Sequence, residues 1–336
     1  MLRAEIERDG LITFARFMQR ALYEPGLGYY AASHDRPTRK GDFLTAPELH
    51  PIFGMAVARQ IDEMWQRLGQ PAEFTVREYG AGRGTLAAAL RPSFRYEPVE
   101  FGDVRPTNPI VGAVLANEFL DALPVHRVIV EGGRLRELFV GWSGDRFVES
   151  VGELSDDGLG AWFDDRHIVL SEGQIAEVGL KGLDWLAEVA ATLERGYVLI
   201  FDYGLGAAEL YAPERARGTI RAIRSHHVGS DVLAGVGRQD LTAHVDLDAL
   251  EHGARSVGLD VLGRTTQAEF LVGCGLDELL QAERDRAGED WQAQLELRST
   301  IGRLLDPRQL GGYAVMVLGR GVDNDPPLRG LGYRLR

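Results

Sequence analysis

Apolar residues recur at helical spacing over residues 3–22, at Ile6, Leu11, Phe14, Phe17, Met18 and Leu22, and the pattern ends in the turn-rich YEPGLGYY. This predicts a helical lead-in. A second amphipathic run over 51–68 places Phe53, Val57, Ile61, Met64 and Trp65 on one face. Short apolar runs at 74–79, 110–116, 196–202, 259–264 and 313–319 read as buried strands, separated by helical patterns at about 172–194 and 247–257. A helix is expected to open at Gly84 and run to Leu90. Strands alternating with helices imply an α/β protein with a mostly parallel, doubly wound sheet. One stretch breaks the rhythm. Residues 126–150, HRVIVEGGRLRELFVGWSGDRFVES, are strand-length segments separated by Gly-Gly and Ser-Gly-Asp turns, which predicts an inserted antiparallel segment. Two further helical patterns, at about 266–283 and 287–304, precede the last strand. The expected organisation is a helical extension over 1–70, then a core over 71–336 with a β-rich insertion at about 126–150 and a helical insertion at about 266–304.

Composition narrows the partners. At 336 residues, 45% hydrophobic and 26% charged, the chain has the make-up of a soluble globular protein with a large core. A formal net charge of −13 argues against a surface built to neutralise nucleic-acid phosphates, so no nucleic-acid partner is expected. No apolar run approaches the ~20 residues that span a bilayer, and no membrane partner is expected. The N-terminus MLRAEIERDG carries acids ahead of any apolar run, unlike a secretory or transit segment, which points to a bacterial-type cytoplasm. Cys274 is the single cysteine, which excludes an intramolecular disulfide and a CxxC metal site and reads as a small buried apolar residue. His226, His227 and His244 lack acidic or cysteine partners at ligand spacing, and no metal is expected.

The run VREYGAGRGTLAAAL, residues 76–90, carries Glu78 followed by Gly80, Gly82 and Gly84 in a G-x-G-x-G turn between strand and helix. The dinucleotide fingerprint places its third glycine one residue later and offers a helix N-terminus to a pyrophosphate, which an acid two residues before the first glycine would repel. That acid suits a ligand with a cationic end. S-adenosylmethionine carries an α-ammonium and a sulfonium and no phosphate. Glu100, in FRYEPVEF, is the candidate for the acid that binds the ribose hydroxyls. The turn could also be only a tight strand-to-helix connection. Further on, ANEFLDALPVHR follows an apolar strand and puts Asn117 and Glu118 at its carboxyl end, where open α/β sheets bind ligands. Asn117, Glu118 and Asp121 could equally cap a following helix.

These blocks, with ITFARFMQRALYEPGLGYY, GDFLTAPELHPIFG, DYG, GTIRAIRSHHV, DLTAHVDLDAL and TTQAEFLVGCG in order along nearly the whole chain, closely resemble the MidA-like methyltransferases, the family that includes the mitochondrial complex I assembly-factor methyltransferase. The resemblance implies a Rossmann-like class I fold and S-adenosyl-L-methionine as cofactor. The implied activity is N-methylation of an arginine on a protein substrate, a complex I-type (NADH dehydrogenase) subunit or its bacterial equivalent. In one respect the chain departs from the family: the segment between the glycine turn and ANEFLDALP is short by about one strand-helix step, so the sheet edge there should be abbreviated.

A guanidinium is cationic and weakly nucleophilic, so its methylation calls for a carboxylate that binds it and localises its charge away from the attacking nitrogen. Glu118, Asp121 and Asp202, at strand ends, are the catalytic candidates. Glu78, Gly80, Gly82, Gly84, Glu100 and Asn117 are the cofactor-binding candidates. Tyr203 follows Asp202 and could face the substrate, and Asp42, Thr45 and Glu48 could cover the donor, with Thr45 or Glu48 alternatively capping the helix at Pro51. Two other readings compete: an assembly or chaperone-like factor with weak or no methyl transfer, and a nicotinamide oxidoreductase, which Glu78 and the glycine spacing disfavour.

Overall fold

The computed structural model describes residues 1–31, 45–224, 227–229 and 231–335. The chain divides into two compact units, each assembled from three separated stretches. One comprises Met1–Phe43, Leu120–Trp185 and Gly204–Leu250, the other Leu44–Phe119, Leu186–Tyr203 and Glu251–Arg336. The helix Pro51–Arg67 therefore groups with the sheet of the second unit, and the expected break near residue 70 does not coincide with this division.

The second unit is built on six strands: β1 (Thr75–Tyr79), β2 (Arg95–Val99), β3 (Ile110–Asn117), β4 (Leu193–Asp202), β5 (Asp260–Thr266) and β6 (Ala314–Arg320). Their order is β5-β6-β4-β3-β1-β2. The predicted strands are all present. β1 pairs in parallel with β2 and β3, and β3 with β4, whereas β6 runs antiparallel to both β4 and β5. The sheet is mostly parallel, as expected, with β6 alone reversed, and the cause is connectivity. The helices Gln267–Gly273, Leu276–Ala287 and Trp291–Leu305 leave from the end of β5 and deliver the chain to the same edge, where Ala314 lies opposite both Thr266 and Asp202, so β6 must run back. The helix after the glycine turn also differs from expectation. It covers only Ala87–Leu90, because the left-handed glycines hold the chain in a turn and Pro92 has no N–H to carry the helical hydrogen bonding past Arg91. β2 is then the sheet's last strand, in line with the shortened segment.

Both faces of β1 are covered, and all five of its residues are buried. On the helix Pro51–Arg67, Phe53, Val57, Ile61 and Met64 face the core as their spacing predicts and Ile52 joins them, while Trp65 is only half-buried; each buried ring or branch contributes roughly 1.5–3 kcal/mol. Phe53 meets Phe201 edge-on at 5.3 Å between centroids, and Phe201 meets Phe270 at 4.9 Å. Arg77 is fully buried in β1 yet satisfied, donating to Glu97 Oε2 at 2.9 Å, Thr192 Oγ1 at 3.1 Å and the Asn108 carbonyl at 3.2 Å.

The first unit contains the β-rich segment as an antiparallel sheet. His126–Glu131, Arg134–Ser143 and Arg146–Gly152 form consecutive hairpins, flanked by Ile12–Thr13 and Ile175–Val178. The Gly132-Gly133 turn joins Glu131 to Arg134, with φ of 61° and 71° at the two glycines, as a two-residue hairpin of matching twist demands. Phe14, Phe17, Met18 and Leu22 pack with Val140 and Leu241 in this unit's core. The lead-in is two helices, Leu2–Asp9 and Phe14–Tyr23, because Gly10 at φ 88° ends the first, which leaves Leu11 exposed. Among the described residues no helix is long and apolar enough to cross a membrane.

Candidate functional site

Beyond the last residue of β1, Gly80 N donates to the Val99 carbonyl at 2.8 Å and so extends the ladder by one residue. The chain then turns, with φ of 69°, 55° and 69° at Gly80, Gly82 and Gly84, a region that a side chain enters only under strain. Gly80 has a second constraint, since a Cβ there would lie 2.8 Å from the Phe119 ring. At Gly82 the space is open, the nearest heavy atom to a built Cβ being the Gly80 carbonyl at 3.9 Å. Glu100, exposed just past β2, reaches the turn directly: its Oε1 accepts from Gly82 N at 2.7 Å. Glu100 is itself fixed, its N–H donating to Asp103 Oδ2 at 2.9 Å.

Glu78 lies near the end of β1, 3% exposed. Burial pushes its carboxyl up to about 7; the hydrogen bond from the Tyr96 hydroxyl opposes the shift and nearby Glu100 adds to it. Tyr96 escaped the sequence analysis. The signal was the alternation of RYEPV, which sets Tyr96 opposite Val76, diagonal to Glu78 across the β1–β2 pair.

At the end of β3, Asn117 donates through Nδ2 to Glu118 Oε1 at 3.3 Å, while its Oδ1 is buried with no hydrogen-bond partner among the described residues. Glu118 has φ 49°, a left-handed backbone that is uncommon for a residue with a side chain. Its N–H donates to the Phe201 carbonyl at 2.8 Å, and its Oε1 also accepts from Ala46 N at 3.3 Å. No helix follows β3: residues 118–125 are turn and coil leading into the strand His126–Glu131. Capping of a following helix, the competing explanation for this cluster, therefore does not apply, and the helix start that Glu118 does serve is that of Ala46–Leu49.

The three carboxylates expected to grip the substrate are not equivalent. Glu118 and Asp202 stand at the carboxyl ends of β3 and β4, neighbouring parallel strands in which Asn117 is opposite Phe201. Asp202 is fully buried, and its oxygens accept backbone N–H groups, Oδ2 from Phe119 at 3.2 Å and Oδ1 from Tyr203 at 2.8 Å. Both oxygens of Asp202 thus hold backbone at the end of the sheet. Asp121 belongs to the first unit, where its Oδ2 accepts from Thr242 Oγ1 at 2.7 Å and its carbonyl from Ala243 N at 2.9 Å. Burial pushes its carboxyl up to about 6.

Thr45 precedes the short helix Ala46–Leu49, Glu48 lies within it, and Glu48 Oε1 is 3.8 Å from Arg83 Nε. Neither caps the helix at Pro51. His50 does, its Nδ1 accepting from Ile52 N at 3.1 Å. Tyr203 stacks at a tilt on Tyr313, 4.1 Å between centroids. His244 is held down to about 4 by burial and by Arg221 and Arg215, and His227 is exposed. Among the described residues no three His, Cys, Asp or Glu side chains gather in a metal-holding group. Asp42 and His226 lie outside the described residues.

These groups suit S-adenosylmethionine, which when bound supplies an electrophilic methyl on a sulfonium. Glu78 would offer a buried carboxylate to the ammonium, Glu100 an acceptor to ribose hydroxyls, the open space at Gly82 close backbone approach, and Asn117 Oδ1 a further acceptor. A pH dependence follows. In the free protein Glu78 keeps its proton up to about pH 7. A bound cation favours the carboxylate, so that proton must leave on binding. Affinity for S-adenosylhomocysteine is therefore expected to rise with pH through about 7, by up to roughly tenfold per unit below it, and to level off above it once Glu78 is already ionised in the free protein. Calorimetry between pH 5.5 and 8.5 checks this, and Glu78→Gln should flatten the rising limb. A rising limb unchanged in that variant would take Glu78 out of the donor site.

Residues 56–101 and 90–265 match the family model described as "Putative S-adenosyl-L-methionine-dependent methyltransferase". Curated relatives include the mitochondrial protein arginine methyltransferase NDUFAF7 of Rattus norvegicus, 28% identical over 369 residues, covering 92% of this chain and 81% of the relative. The Drosophila melanogaster homolog is 27% identical over 372 residues, covering 92% and 82%. Among solved structures, a Burkholderia thailandensis protein bound to S-adenosyl-homocysteine superposes with a TM-score of 0.88 at 29% identity, covering 98% of this chain and 93% of that one. The fold, the glycine turn with its two acids and the extent of the family match agree, and the chain belongs to this family of S-adenosyl-L-methionine-dependent methyltransferases.

Proposed function

We propose that the protein transfers the methyl group to an arginine side chain of a protein substrate, a complex I-type subunit. The observation that carries this reading is the likeness over 92% of the chain to relatives named as protein arginine methyltransferases. The site chemistry supports it. Glu118 is a carboxylate at the ligand edge of the sheet, held through its backbone and through Oε1. It would pair with the guanidinium, draw the positive charge away from one nitrogen and leave that nitrogen's lone pair for the methyl carbon. The nitrogen–carbon bond forms as the sulfur–carbon bond breaks, and the proton left on the nitrogen passes to Glu118 or to water. A strong base is unnecessary, because proton loss can follow transfer. Asn117, next to Glu118 and hydrogen-bonded to it, is assigned to the donor. A bacterial-type cytoplasm is part of the same proposal; the relatives named above are described as mitochondrial.

The test is intact-mass measurement and peptide mapping of complex I-type subunits incubated with the protein and S-adenosylmethionine. A methyl increment on an arginine is the expected result. An increment on another residue type would refute the arginine assignment, and no increment on any subunit would refute the partner.

A further inference from the structure

We propose that Asp202 is a positioning residue for methyl transfer, acting through Glu118 and never touching the substrate; this rests on the reading of Glu118 as the group that holds the acceptor. The observation is that two successive N–H groups after β3 are captured by the end of β4. Glu118 N donates to the Phe201 carbonyl at 2.8 Å, and Phe119 N donates to Asp202 Oδ2 at 3.2 Å. Glu118 sits between these anchors at φ 49°. A left-handed backbone in a residue with a side chain is strained and persists only where its surroundings over-determine it. A fully buried carboxylate is suited to that, since hydrogen bonds to a charged acceptor are about twice as strong as neutral ones. Its other oxygen takes Tyr203 N at 2.8 Å, which ties the end of β4 to the same carboxylate.

Asp202 also links the two halves of the site. The Phe119 backbone that it holds carries the ring that lies against Gly80, with no room there for a Cβ, and that stands 5.8 Å from the Tyr79 ring. The acceptor carboxylate and the first glycine of the donor turn are thus set by one buried side chain. Asp202→Asn keeps the size but replaces one oxygen with an NH2 group, which faces one of the two backbone N–H groups donor to donor. One anchor is lost, and Glu118 is released toward ordinary backbone angles.

The test is a double-mutant cycle with Glu118→Gln, read on whichever protein residue the mass mapping finds methylated. Alone, Asp202→Asn is expected to lower kcat about tenfold, with KM for the acceptor and S-adenosylhomocysteine affinity within about threefold of wild type. Placed on Glu118→Gln it is expected to add less than twofold, because its route to the chemistry is already gone. Should the methylated residue not be arginine, the cycle still runs and the arginine assignment alone fails. Independent effects that multiply, or wild-type turnover in Asp202→Asn, would overturn the proposal. A further measurement needs no acceptor: hydrogen exchange of the Phe119 amide should quicken in Asp202→Asn protein that still binds S-adenosylhomocysteine, and unchanged exchange counts against the idea. If the Asn variant does not fold, Asp202→Ser, which keeps one acceptor oxygen, carries the same comparisons.

Discussion

Exchanging Glu118 for Gln is expected to lower methyl transfer about a hundredfold, ~2.7 kcal/mol of barrier, with S-adenosylhomocysteine affinity staying within about threefold. The expectation comes from what the amide can and cannot reproduce. Gln has the size of Glu, and its single acceptor oxygen can keep the bonds that Glu118 Oε1 makes to Ala46 N and Asn117 Nδ2. The NH2 group then stands where the second carboxylate oxygen was. Toward a guanidinium it offers N–H against N–H, and neither a bidentate pair nor the compensating charge survives. Fold stability should change little, because the amide oxygen of Gln can still accept from Ala46 N at the start of the helix Ala46–Leu49 and the backbone anchors are untouched. Single-turnover kinetics with the donor in excess, beside calorimetry, separates the two effects. Wild-type turnover in a folded variant would remove Glu118 from the mechanism and leave Asp202 with nothing to position.

How far the sequence went toward this site depended on how local each feature is. Five of the six strands of the large sheet were legible as short apolar runs, and the hairpins of the first unit as Gly-Gly and Ser-Gly-Asp turns, because period and turn chemistry are properties of neighbouring residues; the edge strand Arg95–Val99, RYEPV, is mostly polar and was not. The reversal of β6 was not legible. It depends on where three helices deliver the chain, and an apolar run reads the same in either direction. Leu11 followed the helical spacing but lies outside the core, since Gly10 breaks the helix at a point that spacing alone does not mark. At the site, residue types and strand ends picked out Glu78, Glu100, Asn117 and Glu118, all of which lie in the second unit. Asp202 and Asp121 met the same criteria, and their hydrogen bonds assign them differently, to backbone N–H groups and to Thr242. A carboxylate's chemistry is fixed by its partners across the fold, 83 residues away for Asp202 and Phe119, 121 for Asp121 and Thr242. That separation is why composition and spacing could nominate these acids and not rank them.

Gly82→Val is expected to cut donor affinity at least tenfold, ~1.4 kcal/mol or more, in a protein that still folds, whereas Gly80→Val should damage the fold itself. The two glycines share a left-handed backbone, at φ 55° and 69°, so each substitution carries backbone strain of about 1–2 kcal/mol. They differ in what a side chain meets. At Gly80 the first added carbon falls 2.8 Å from the Phe119 ring, and Phe119 is pinned by its own N–H to Asp202, so the clash cannot be relieved cheaply. At Gly82 nothing lies nearer than 3.9 Å. The added isopropyl group projects into open space beside Glu78 and Glu100, where the donor's ribose and ammonium are expected, and it competes with the ligand rather than with the protein. Thermal melts and S-adenosylhomocysteine titrations on both variants check the contrast. The expected pattern is a modest fall in melting temperature with a large loss of binding for Gly82→Val, and a much larger fall in melting temperature for Gly80→Val. Full affinity in folded Gly82→Val protein would place the donor away from this turn, and the roles given to Glu78 and Glu100 would go with it.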